Sequence, residues 1–156
     1  MNHRRLAIAL ACGLLAGCAF GPVAPGMSRA EVASRLGTPS AVFPTEPGSR
    51  LQYSGQPAGQ YAWIVDLDHN DRVLQARQVL TGLEFARLDS GTWTRRDVER
   101  EFGRPAAIER VASWPGDIMT YRWNDGVDMF YWVYLDAGDI VRRAHPGIEY
   151  RDPRRD

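Results

Sequence analysis

At 156 residues the chain is long enough for one domain or two small ones. Its formal net charge is zero and all 19 basic residues are arginines, so no global field recruits nucleic acid or an acidic partner. Both cysteines, Cys12 and Cys18, lie in the first 20 residues, which excludes a disulfide framework and a cysteine-based metal site.

The N-terminus has the layout of a secretory signal. Arg4 and Arg5 form a basic n-region, and Leu6 to Leu15 is an apolar run too short to span a bilayer comfortably. It ends in Leu15-Ala16-Gly17-Cys18, which resembles a bacterial lipobox. That resemblance implies lipidation of the Cys18 thiol, cleavage after Gly17 and acylation of the new amine. Two or three acyl chains suffice for stable anchoring, at roughly 0.8 kcal/mol per buried CH₂. Ala19 rather than Asp follows the cysteine, and by similarity to Gram-negative lipoproteins this implies the outer membrane. Residues 1–17 are thus read as signal peptide and 18–25, with two prolines, as a tether.

Next comes a complete short helix, residues 29–36. Ser28 is its N-cap and Glu31 closes a capping box, while Met27 and Val32 form a hydrophobic staple. Gly37 and Pro39 end it. Residues 41–59 are rich in proline and glycine around one short strand near Leu51–Ser54. Tyr61–Asp68 alternates as a strand, His69-Asn70-Asp71 turns, and Arg72–Leu80 returns. Leu83–Leu88 is a short extra helix.

A second capped helix follows at a constant offset of 66: Thr94 and Asp97 stand for Ser28 and Glu31, Trp93 and Val98 for Met27 and Val32, and Gly103 and Pro105 for Gly37 and Pro39. Strands are then expected at Ile118–Trp123, Val127–Asp136 and Ile140–His145, with Asn124-Asp125-Gly126 as a turn. Here the correspondence continues at an offset of 68, pairing Leu67, Asp68 and Asp71 with Leu135, Asp136 and Asp139. The pattern implies an internal duplication. We therefore expect an α+β fold of two tandem helix-plus-antiparallel-meander repeats, 26–81 and 82–147, with the helices on one face of a shared or continuous sheet. A polar tail, 148–156, closes the chain.

The unit Gly26-Met-Ser-x-x-Glu-Val-x-x-x-Leu-Gly-Thr-Pro39, then Tyr53, then Val65-x-Leu-Asp68 and a turn, resembles the BamE (SmpA/OmlA) family. That family consists of lipoproteins of the outer-membrane β-barrel assembly machinery. The tandem form is also similar to the β-lactamase-inhibitory protein architecture. The first resemblance implies a non-catalytic, periplasm-facing lipoprotein with an interaction or scaffold role in envelope integrity or barrel assembly, its partner an envelope protein, with barrel-assembly components among the candidates. The second implies an alternative, a protein that binds and blocks an envelope enzyme.

Catalytic and metal signatures do not emerge. Asp66-Leu-Asp68-His-Asn70-Asp71 opens like a calcium loop, but Asp71 occupies the glycine position and Arg77 the final acidic one. His69 and His145 lack ligand spacing or a serine–aspartate constellation. No cofactor is expected. The faces that differ between copies are more informative. Tyr61, Trp63, Val65 and Leu67 align with Met129, Tyr131, Val133 and Leu135 as the core face. The opposite face carries Ala62, Ile64 and Asp66 in the first copy but Phe130, Trp132 and Tyr134 in the second, with Arg122 on the neighbouring strand. Aromatics beside arginine form the composition of a binding hot spot. Phe130, Trp132, Tyr134 and Arg122 are the candidate partner-binding residues, and Cys18 the lipidation site.

Overall fold

The computed structural model describes residues 23–88 and 91–150. The signal peptide, Cys18, most of the tether and the end of the polar tail lie outside the described residues.

The strands carry the fold. Four of them, β1 (Ala41–Pro44), β2 (Ser49–Ser54), β3 (Ala62–Leu67) and β4 (Val73–Gln78), pair antiparallel in sequence order as one sheet. Four more, β5 (Ala107–Glu109), β6 (Ile118–Asn124), β7 (Asp128–Leu135) and β8 (Val141–Ile148), form a second. The three helices are small: α1 (Arg29–Leu36), α2 (Gly82–Phe85) and α3 (Arg95–Phe102).

This corrects the expected fold class. The protein is mostly β, with two separate four-stranded sheets, and not an α+β arrangement of helix-plus-meander repeats over a shared sheet. The physical reason lies in helix length. Eight residues span about 12 Å, and α1 buries only Val32 while α3 buries only Val98 and Phe102. Helices of this size fill gaps; they do not make a layer. The proline- and glycine-rich stretch 41–59 also supplies a strand, β1, which pairs with β2.

The helix boundaries nonetheless follow local chemistry. Both capping boxes close, with Ser28 and Glu31 bonding each other's backbone and Thr94 and Asp97 doing the same. Gly37 and Gly103 end the helices at φ 77° and 85°, values that an L side chain rarely adopts.

The same tertiary contacts occur twice. Arg29 donates from its backbone to the Asp71 carbonyl and from Nε to the Asp71 carboxylate at 2.9 Å. Arg95 repeats both contacts with Asp139, the side-chain bond being 3.0 Å. Asp71 and Asp139 share a left-handed backbone, φ 58° and 62°. Gly48 and Gly116 lie so close to the Leu67 and Leu135 carbonyls that a Cβ would come within 2.3 and 2.1 Å.

The first cluster of buried side chains gathers Val32 with Leu51, Tyr53, Val65, Leu67 and Val73. The second belongs to both halves: Ala62, Ile64 and Phe85 join Val98, Phe102, Met119 and Tyr121. Gln52 donates to the α3 carbonyls of Glu99, at 2.9 Å, and Arg100, at 3.3 Å, which caps the helix end against β2. The Tyr121 hydroxyl donates to the Gly103 carbonyl at 2.8 Å, and burial, with the nearby Glu99 charge, holds that phenol neutral far past its usual range.

Charges also cross between the halves. Arg50 sits 2.6 Å from both the Asp66 and the Glu101 carboxylate, and Arg77 is 2.8 Å from Glu84. Burial pushes the Asp66 carboxyl up, but hydrogen bonds from Arg50 and Gln75 and the charges of Arg50 and Arg77 outweigh it, so it titrates below the usual carboxylate range. Glu84 behaves alike, burial being outweighed by Arg87 and Arg77. A carboxylate with a depressed folded pKa stabilises above its unfolded pKa, about 4, and that contribution fades as pH falls through the folded value. Urea denaturation is therefore expected to show stability falling over the interval from about pH 5 downward. Asp66→Asn should flatten that slope while lowering stability at neutral pH. A wild-type stability that stays level across the interval would contradict the assignment.

Candidate functional site: an aromatic face on the second sheet

Alternation and register place the candidate residues. In β7 the side chains of Met129, Val133 and Leu135 belong to the core side, with Val133 and Leu135 fully buried. Phe130, Trp132 and Tyr134 fall on the opposite, outer face, each half-buried. Across the ladder Tyr134 pairs with Ile118 and Arg143, Trp132 with Thr120 and His145, and Phe130 with Arg122 and Gly147. These nine positions tile one surface.

The corresponding residues of β3 have a different fate. Ala62 and Ile64 are completely buried in the cluster shared with α3. Asp66 is consumed by Arg50. The first sheet is thus closed on both sides, because α2, α3 and the second sheet follow it. On the second sheet the outer aromatic residues stay half-open, and Glu149 with the Pro57 and Ala58 carbonyls reaches only the Arg122 end of that face.

The rings are held in place. Phe130 and Trp132 lie with centroids 5.6 Å apart, and Tyr134 stacks on His145 at 5.4 Å with planes 23° apart. Trp132 lies flat across Gly147, where a Cβ would come 2.3 Å from its Cζ3. The loop between β5 and β6 brings in Trp114, whose indole donates to the Leu135 carbonyl at 2.6 Å and meets Tyr134 edge-on at 5.2 Å. The Arg143 guanidinium rests 3.9 Å from the Tyr134 ring centroid and 5.6 Å from that of Trp114. Trp114, Ile118, Trp132, Tyr134, Arg143 and Glu109 border a hollow of about 530 Å³.

Arg122 is placed differently from the aromatic trio. Its Nε bonds both Glu149 oxygens, at 2.9 and 3.1 Å, and its guanidinium also donates to the Pro57 and Ala58 carbonyls. Gln56 completes the β6 edge by bonding the Arg122 backbone N–H at 3.1 Å and C=O at 2.7 Å. Arg122 therefore clasps the two halves together and has little left for a partner. Trp114 and Arg143 were missed from sequence. Arg143 could have been found by alternation, since it stands two residues from His145 on the strand after the aromatic one. Trp114 gave no signal, because it reaches the face from a loop.

The aspartate-rich turn is spent structurally. Asp68 accepts from the Asn70 and Arg72 backbone, Asp71 pairs with Arg29, and Asp66 faces Arg50. Among the described residues, no group of three or more His, Cys, Asp or Glu side chains comes together in a way that could hold a metal ion.

No family model matches this chain, and no curated protein does either. Among solved structures it is similar to the crystal structure of a DUF4309 family protein (YjgB) from Bacillus subtilis, at 15% identity over 78% of each chain with a TM-score of 0.34. A likeness that distant carries no argument and does not bear on the BamE resemblance.

Proposed function

We propose that this chain is a non-catalytic lipoprotein of the outer membrane, anchored through Cys18 and facing the periplasm, that binds an envelope protein through the outer face of its second sheet. The resemblance to the BamE family makes barrel-assembly components the partners to test first. One observation supports partner binding above the others: Phe130, Trp132 and Tyr134 stand half-open on the face whose counterpart, Ala62 and Ile64, is fully buried. Rings held rigid beside a cation match the chemistry of interface anchors, which lose little conformational entropy on binding. Anchoring is supported by the apolar run ending in Leu15-Ala16-Gly17-Cys18.

The anchoring half is tested by fractionation. Wild-type protein should sediment with outer membranes and incorporate labelled palmitate, and Cys18→Ala should abolish the label and release the chain from that fraction. Wild-type protein in the soluble periplasmic fraction, or a Cys18→Ala variant that still takes up palmitate, would contradict the reading.

A further inference from the structure

We propose that the hollow between Trp114 and Trp132 seats an extended acidic peptide segment, with Arg143 receiving a carboxylate and the Trp132 and Tyr134 rings receiving an apolar side chain. This deepens the partner-surface reading and rests on it.

Charge is the first ground. Arg143 is exposed, and no carboxylate among the described residues lies within ion-pair distance of it. Glu109, an exposed acid on the hollow's border, accepts from the Thr120 hydroxyl at 3.1 Å, and its negative charge directs an incoming carboxylate to the Arg143 side. A guanidinium lying on the Tyr134 ring keeps the N–H donors along its edge, in the fork that matches a carboxylate. Stacking also fixes its position beforehand, so less freedom is lost when an anion arrives.

Shape is the second ground. On the first sheet, Ala62 and Ile64 leave depth that Val98 and Phe102 of α3 help to fill. On the second sheet Phe130 and Trp132 occupy that depth, with Trp132 pressed onto Gly147. The remaining hollow, about 530 Å³, suits a few residues of extended chain rather than a helix. A lipid surface fits less well: it is drawn to clusters of cations, whereas Arg143 is the one basic residue among the described residues that border this hollow.

The test is fluorescence anisotropy with the full chain carrying Cys18→Ala and three fluorescein-labelled eight-residue probes, alternating Phe with Asp, Ser or Lys. The Asp probe should bind about tenfold tighter than the Ser probe, a difference of about 1.4 kcal/mol, and the Lys probe should bind weakest. Arg143→Gln should erase the preference for Asp, and Arg143→Lys should keep part of it. Gly147→Ala, by lifting Trp132, should weaken all three probes together. Equal binding of the three probes, an Asp preference that survives Arg143→Gln, or binding to phosphatidylglycerol vesicles but to no peptide would each overturn the proposal. Fractionation of the Cys18 variant is independent of these outcomes, so a failure of anchoring and a failure of peptide recognition are separately visible.

Discussion

Phe85→Ala is expected to destabilise the protein by about 3–5 kcal/mol, the range for deleting a fully packed aromatic ring. Phe85 belongs to the four-residue helix α2, held at its start by the Thr81 cap, and its ring is 1% exposed. It stacks on Tyr131 at 4.0 Å with planes 3° apart, on Phe102 at 5.1 Å, and meets Trp123 edge-on at 5.6 Å. Those neighbours come from α3, β6 and β7, so the cavity left by alanine would open at the centre of the cluster shared by both halves. Urea denaturation measures the loss. Leu83→Ala, two residues away and 82% exposed, should stay within about 0.5 kcal/mol of wild type. A Phe85→Ala variant within about 1 kcal/mol of wild type would show that the shared core is not the main support.

Arg50→Ala should cost a similar amount, about 3–5 kcal/mol, because breaking a buried ion pair from one side strands the other charge. Here Asp66 is the charge stranded, while Glu101 keeps the more distant Arg100, Arg87 and Arg77 at 3.6, 3.7 and 3.9 Å. Arg50 separates the Asp66 and Glu101 carboxylates, side chains that are each 12% exposed, at 2.6 Å from both. Without the guanidinium, two carboxylates from different halves face each other in a poorly hydrated gap. Gln75 still reaches Asp66 at 2.8 Å, which offsets only part of the loss. Replacing Arg50, Asp66 and Glu101 together with Met, Leu and Leu should recover most of the stability, since a buried ion cluster and an apolar isostere are often close in energy. Thermal denaturation of the single and triple variants checks both statements. A triple variant no better than Arg50→Ala would show that the cluster contributes more than its desolvation costs.

Local structure was legible wherever a short signal determined it. The caps at Ser28 and Thr94, the glycines at 37 and 103 and the turn before Val127 fix the chain within a few residues, and the elements lie where those signals place them. The layer arrangement was not legible, because it depends on what arrives from elsewhere in the chain. Alternation in β3 divides Trp63, Val65 and Leu67 from Ala62 and Ile64. Only the later arrival of α3 and the second sheet buries the second set as completely as the first. The periodic apolar positions of α1 and α3 suggested layer-forming helices, whereas their length lets each contribute only one or two buried residues.

The same division holds at the aromatic face. Period-two alternation assigned Phe130, Trp132 and Tyr134 to one side of β7, and the register agrees. Arg122 falls on that side too, but its role is decided by the Pro57 and Ala58 carbonyls, 65 and 64 residues away in sequence. Trp114 shows the converse: a loop residue acquires a place on the face because the Leu135 carbonyl holds its indole. Such long-range partners leave no local trace.

The central claim, that the outer face of the second sheet is where this protein meets its partner, is tested most directly by site-specific photocrosslinking in intact cells. A photoreactive phenylalanine analogue is placed at Trp132 and, as a control, at the exposed Leu83, with adducts identified by mass spectrometry. The account predicts one dominant envelope-protein adduct from position 132 and none of comparable yield from position 83. No adduct from position 132, or the same adduct equally from both positions, would contradict it.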